Sequence, residues 1–169
     1  MKAAILTSPG HFVFQKLPMP RPREGEVLVK VKAVGICGTD VSVYKGIIQA
    51  KDNIILGHEY CGDVVDIGPG VWKVKPGQFV ASAASWGCGQ CDWCVRGYSS
   101  YCDNPHSLGR TVDGALAEYI VVPQEALYVL NHDVSLTEAQ GVVGRGAGGP
   151  GGGRRPAGAG GGPGHRLGR

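Results

Sequence analysis

The sequence predicts a small, mainly β structure closed on itself and stapled by a metal-binding loop, and three features predict it. Short apolar runs alternate with polar residues and are cut by Pro and Gly turns about every ten residues, the pattern of a small closed β structure. Four cysteines fall within fifteen residues as Cys88, Cys91, Cys94 and Cys102. The composition breaks after residue 143: residues 144–169 hold 13 glycines and five arginines, with no Asp, Glu, Cys or aromatic residue.

Taken in order, Ala3–Leu6 and Phe12–Leu17 read as strands around a Ser8-Pro9-Gly10 turn, and Pro18–Gly25 as an extended connector. Val27, Val29, Val31 and Ala33 share one face of the next strand by its period of two. Gly35-Ile-Cys37-Gly-Thr39-Asp40 stops that strand and opens a helix, with Thr39 or Asp40 able to cap its first turn. Tyr60–Ile67 is a strand ending at Gly68-Pro69-Gly70, and Phe79–Ala81 another after the Lys75–Gln78 turn. Beyond the cysteines, Gly114–Val122 reads as a strand closed by Pro123, and Leu127–Leu130 as one more. Ser135-x-x-Glu138 has capping-box spacing and announces a helix. Gly144 to Pro150 cannot continue it, since each glycine costs a helix about 1 kcal/mol and a proline about 3 kcal/mol relative to alanine.

Charge excludes some partners. The chain carries 17 Lys+Arg against 14 Asp+Glu, but five of the arginines lie in the last 26 residues, so residues 1–143 have 12 basic and 14 acidic side chains and a formal charge of −2. The basic pI belongs to the tail, and the domain gives no electrostatic ground for a nucleic-acid or membrane partner. All six cysteines lie between 37 and 102, four with metal spacing, which suits a reducing compartment better than a disulfide framework. The opening run Met1–Leu6 is too short for a secretory segment, so cytoplasm is expected.

The cysteine loop is the stronger metal signal. Two residues between cysteines let a tight turn bring both thiolates to one ion, and Cys102 closes a tetrahedron of sulfur around Zn2+. Four protein donors leave no open position, so this site is expected to be structural. Excess negative charge calls for donors aimed at sulfur: Gly87, Gly89 and Gly97 let backbone N–H groups approach, and Arg96 supplies a cation. Cys37, His58 and Glu59 form a second constellation, each at the end of a predicted strand. Thiolate, imidazole and carboxylate are all zinc donors, and an incomplete set leaves room for water or substrate. By themselves the three also suit a core cysteine beside a polar His-Glu turn. Cys61 reads as core, and His11, His106 and His132 as surface loop residues.

The strings Gly35-Ile-Cys-Gly-Thr-Asp40, Gly57-His-Glu-Tyr-Cys-Gly-Asp-Val-Val65, Val74-Lys-Pro-Gly-Gln-Phe-Val80, the four-cysteine loop and Asp113-Gly-Ala-Leu-Ala-Glu-Tyr119 occur in that order. Together they resemble the medium-chain zinc alcohol dehydrogenases over residues 1–143. The resemblance implies that family's N-terminal catalytic domain: a GroES-like, partly closed β-barrel with short helices and a structural zinc lobe at residues 86–104. It implies two Zn2+ sites, with Cys88, Cys91, Cys94 and Cys102 on the structural ion and Cys37 and His58 on the catalytic one. Glu59 would be an alternate ligand or stand just behind the metal, Asp40 would accept the other ring N–H of His58, and Thr39 would hydrogen-bond the substrate oxygen. The zinc would lower the pKa of a bound primary or secondary alcohol, so that the alkoxide gives hydride to NAD(P). Polyol, butanediol and threonine dehydrogenases carry the most similar segments, and the relatives are homo-oligomers. Ser42 departs from the many relatives with a proton-passing histidine there.

The same resemblance implies a further zinc ligand soon after residue 143, where Gly144 takes the glutamate position, and then a Rossmann domain, which is missing from this chain. The expectation is therefore a truncated dehydrogenase, inactive by itself; the alternative is a non-enzymatic zinc-binding β module. Gly144-x-Gly146-x-x-Gly149 matches a dinucleotide fingerprint, but lacks the strand, helix and acidic residue that give the pattern meaning. Gly, Ala, Arg and Pro make up 24 of the last 26 residues, all encodable by GC-rich triplets. Residues 144–169 thus read as a disordered, low-complexity tail translated out of frame, against the competing view of a genuine Gly/Arg-rich tail.

Overall fold

The computed structural model describes residues 1–131, 134–136 and 139. The chain runs through β1 (Lys2–Ser8), β2 (His11–Lys16), β3 (Glu26–Gly35), α1 (Gly38–Tyr44), β4 (Ile54–Ile55) and β5 (Glu59–Ile67). It continues through β6 (Phe79–Ser82), β7 (Ser85–Trp86), α2 (Asp92–Val95), β8 (His106–Ser107), β9 (Tyr119–Pro123) and β10 (Leu127–Val129). The strands form a sheet ordered β2-β1-β4, a five-stranded sheet ordered β10-β6-β5-β3-β9, and the ribbon β7-β8. The architecture is mainly β with short helices and the sheet is not fully closed, as expected for a GroES-like domain.

Alternation along the strands builds the core. Val27 and Val29 of β3, Tyr60 and Val64 of β5, and Val80 of β6 face one interior, with Ile120, Val122 and Leu127. The opposite face of β5 and β6 presents Cys61, Phe79 and Ala81 to Ala139. Cys61 is fully buried, in agreement with its reading as core. Burial raises the pKa of its thiol, a thiol that also approaches the Leu136 carbonyl at 3.8 Å.

Several expectations need correction. Ala33 does not share the face of Val27, Val29 and Val31, because the β3–β5 register shifts between Val31 and Ala33. That bulge leaves Val34 against the main core and Ala33 against the second cluster. The predicted strand from Gly114 is β-paired as a strand only from Tyr119. Its first half is pinned between two other segments instead: the N–H groups of Gly114, Ala115 and Leu116 donate to the carbonyls of Ile55, Gly57 and Leu56, while Leu116 accepts from Ala4. A Cβ at Gly114 would collide with the Gly57 carbonyl oxygen, so only glycine permits this approach. His11 begins β2 and His106 lies in β8, half-buried with its ring 5.8 Å from that of Trp86, so neither is a loop residue.

Ala139 N–H donates to Ser135 O at 2.9 Å, one helical hydrogen bond where the capping box was expected. The expectations placed on His132, Glu138 and residues 140–169, including Gly144 and the tail, lie outside the described residues. Among the described residues, no helix is long and apolar enough to cross a membrane.

Candidate metal centres

The β3–β5 pairing assembles the first centre. Gly35 at the end of β3 lies opposite Glu59 at the start of β5, so Cys37, two residues past one strand, and His58, one before the other, emerge at the same end of the sheet. Ligand atoms of Cys37, His58 and Glu59 all lie within 4.8 Å of one another. Zinc-to-ligand lengths of about 2.0–2.3 Å place tetrahedral donors roughly 3.3–3.8 Å apart, so small side-chain adjustments bring the three onto one ion. Gly35 leaves space for the carboxylate, since a Cβ there would lie 3.2 Å from Glu59 Oε2.

Asp40 ties this centre together. It is the third residue of α1, whose N-cap is Cys37 rather than Thr39 or Asp40; its Oδ2 accepts the Cys37 N–H at 2.9 Å. Its Oδ1 accepts the Gly57 N–H at 3.1 Å and lies 3.3 Å from His58 Nδ1. Burial pushes the Asp40 carboxyl up, but the hydrogen bonds from His58, Cys37 and Gly57 outweigh it and its pKa is lowered. The hydrogen bond to Asp40 raises the pKa of His58 to about 9, against the opposing effect of burial. α1 is anchored by Val43, which packs with Leu6, Ile54 and Leu56. Thr39 Oγ1 is 3.9 Å from Cys37 Sγ, whereas the Ser42 hydroxyl donates back to Gly38 O at 3.0 Å and is held against its own helix.

The second centre is a loop carried on the β7–β8 ribbon, closed at its base by the pairs Ser85–Ser107 and Trp86–His106. Its four sulfurs, from Cys88, Cys91, Cys94 and Cys102, also lie within 4.8 Å of one another. Cys91 Sγ and Cys102 Sγ are 3.8 Å apart, the edge of a tetrahedron with metal–sulfur lengths of about 2.3 Å. Backbone N–H groups point at the sulfurs: Cys88 N–H at Cys102, Gln90 and Cys91 at Cys88, Cys94 and Asp103 at Cys91, and Gly89 at Cys94. Such donors lower the Cys91 thiol to about 6 and also lower that of Cys88, while burial pushes Cys94 up to about 12. The cradle is made of backbone; among the described residues the exposed Arg96 side chain makes no hydrogen bond or ion pair with the cysteines. Sulfur at tetrahedral spacing, neutralised by N–H dipoles, fits Zn2+.

Gly57 belongs to the motif around His58, and the structure gives it a role that the sequence pattern does not. Gly57 has φ +90° and lies between β4 and β5, where its N–H meets Asp40; a Cβ would be 2.9 Å from Val34 Cγ2. Its signal was a glycine immediately before a candidate ligand at a strand start. A cavity of about 420 Å3 lies elsewhere, between β9, Met1 and the Trp86–His106 pair, and is not lined by Cys37, His58 or Glu59.

The family model described as the alcohol dehydrogenase GroES-like domain matches residues 23–132. A sorbitol dehydrogenase of Halalkalibacterium halodurans is 37% identical over 133 residues, covering 77% of this chain and 39% of that protein. Among solved structures, a protein of Escherichia coli described as a short chain alcohol dehydrogenase, complexed with NADH, superposes with a TM-score of 0.78 at 33% identity, covering 84% of this chain and 42% of that one. The cobalt- and zinc-bound thermostable alcohol dehydrogenase of Pyrobaculum aerophilum gives a TM-score of 0.76 at 32% identity, covering 85% and 44%. The chain thus spans between 39% and 44% of the length of these relatives.

Proposed function

Since this chain belongs to the family of alcohol dehydrogenase GroES-like domains, we propose that it is the metal-bearing part of a zinc-dependent, NAD(P)-linked dehydrogenase acting on an alcohol or polyol. The observation that carries this reading is the convergence of Cys37, His58 and Glu59 within 4.8 Å, at a place separate from the four-sulfur loop. A zinc ion on these donors would supply a Lewis acid beside the substrate oxygen.

The chain's own residues then have defined tasks. Cys37 and His58 hold the metal, with Glu59 as a third donor or its near neighbour. Asp40 keeps the His58 ring in one orientation and fixes the neutral tautomer whose other nitrogen faces the ion. Thr39, half-buried beside Cys37, hydrogen-bonds the substrate oxygen and starts a relay, its hydroxyl accepting the substrate proton only as it hands its own to water. Ser42 is turned to its helix backbone and does not carry that proton onward. Cys88, Cys91, Cys94 and Cys102 hold a second, structural zinc, which requires reduced sulfur and therefore favours the cytoplasm.

The domain comprises residues 1–143 in this reading and is the zinc-binding part of the enzyme, with residues 144–169 out of frame. Resequencing the coding DNA tests the second part: a shifted frame after codon 143 should encode a strand, a G-x-G-x-x-G and a helix. Metal analysis tests the first. Purified protein should hold close to two zinc per chain, falling to about one in Cys37→Ala. One zinc per chain, indifferent to Cys37→Ala, would contradict the dehydrogenase reading and favour a non-enzymatic zinc module.

A further inference from the structure

The glycines of the cysteine loop do two different jobs. Gly89 and Gly97 have φ of +77° and +83°, and a Cβ on either would meet nothing within 4 Å. They are present for the turn. Gly87 is not among the residues with positive φ, yet a Cβ on it would collide with Cys94 Sγ and lie 3.0 Å from Ser99 Cβ. Its bare Cα is a wall against which one of the four sulfurs rests.

We propose that Gly87 is the residue that positions the Cys94 thiolate, and that a side chain at 87 removes this sulfur from the metal while disturbing the metal-free chain far less. The proposal rests on the four-thiolate reading of the loop and deepens it. Without metal, a cysteine side chain rotates about χ1 to another staggered position at little cost. With metal, Cys94 Sγ is fixed by its bond to the ion and by the Gly89 N–H, and Ser99 closes the other side. An added methyl group then forces a choice between steric overlap and loss of a ligand. The backbone at 87 is accessible to any residue, so the substitution tests the contact alone.

The test uses the full chain carrying Cys37→Ser, so that sulfur signals come from the four-cysteine loop. Metal-free protein is titrated anaerobically with Co2+, and the sulfur-to-cobalt charge-transfer absorption is read, since its intensity follows the number of bound thiolates. The parent should show four-thiolate intensity. Gly87→Ala should fall to a three-thiolate signal with about 10- to 100-fold weaker binding, and its melting temperature should drop less without metal than with cobalt. Gly97→Ala, strained in its backbone but free of any contact, should keep the four-thiolate signal. Parent-like intensity and affinity in Gly87→Ala would overturn the proposal, as would an equal drop in melting temperature with and without cobalt, which would mark ordinary packing. A parent that itself falls short of four thiolates would instead overturn the reading beneath it.

Discussion

Asp40 binds two separate stretches of chain through one carboxylate: the Cys37 N–H on Oδ2, and the Gly57 N–H and His58 ring on Oδ1. Replacing it with asparagine puts an NH2 donor against one of these N–H donors and leaves a buried group unsatisfied, a cost of about 1–3 kcal/mol. Asp40→Asn should therefore melt at lower temperature and bind zinc at the Cys37–His58 centre about 10- to 100-fold more weakly. Calorimetric titration with an unchanged affinity would contradict that role. The four-cysteine loop has its own proton balance. Without metal, Cys91 at about 6 is a thiolate at neutral pH, while Cys94 at about 12 keeps its proton. Zinc must displace at least that proton, so affinity should fall at least tenfold for each unit of acidification, and more steeply below about pH 6 as Cys91 also protonates. Chelator competition at two pH values measures the slope, and a flat profile would rule out a thiol ligand protonated in the free loop.

At the scale of elements, a buried amide fixes a connection that no periodicity reveals. Gln124 is 4% exposed; its Oε1 accepts the N–H groups of Trp72 and Lys73 at 2.8 and 3.0 Å, and its Nε2 donates to Gly70 O at 3.3 Å. Gln124→Ala leaves two part-buried donors without their acceptor and should cost about 1 kcal/mol in chemical denaturation; a loss below experimental error would show that water replaces the amide. Strand β3 was legible because Val29 and Val31 alternate with Lys30 and Lys32, the pattern of a strand with one buried face. The two-residue strands β4, β7 and β8 were not, since two residues have no period. Residues 114–118 misled for a different reason. Their short apolar run suits a strand, but their backbone partners are Ile55–Gly57 and Lys2–Ala4, contacts more than 50 residues away that no local pattern encodes. The metal donors were legible by spacing in the loop, and in Cys37 and His58 only through resemblance, because the β3–β5 register that unites them is long-range.

For the whole molecule, the two centres depend on the β framework in different ways. The first is built at the end of β3 and β5, inside the main packing, whereas the second sits on a ribbon joined to that packing through Trp86 and the buried Leu108. Structural zinc contributes on the order of 10 kcal/mol to the folding of small metal-bound units, so Cys91→Ser should lose about one zinc per chain and melt well below the parent. The Cys37 centre should retain its metal in any Cys91→Ser protein that folds, since no cysteine of the loop is among its donors. Equal melting temperatures with and without Cys91 would show that the loop is held without metal. The account as a whole requires two ions per chain, each in its own donor set. The most direct measurement is an anomalous difference map at the zinc edge from crystals grown with zinc. It should show one peak among Cys88, Cys91, Cys94 and Cys102 and a second between Cys37 and His58; a single peak in the cysteine loop, with Cys37 and His58 turned apart, would contradict it.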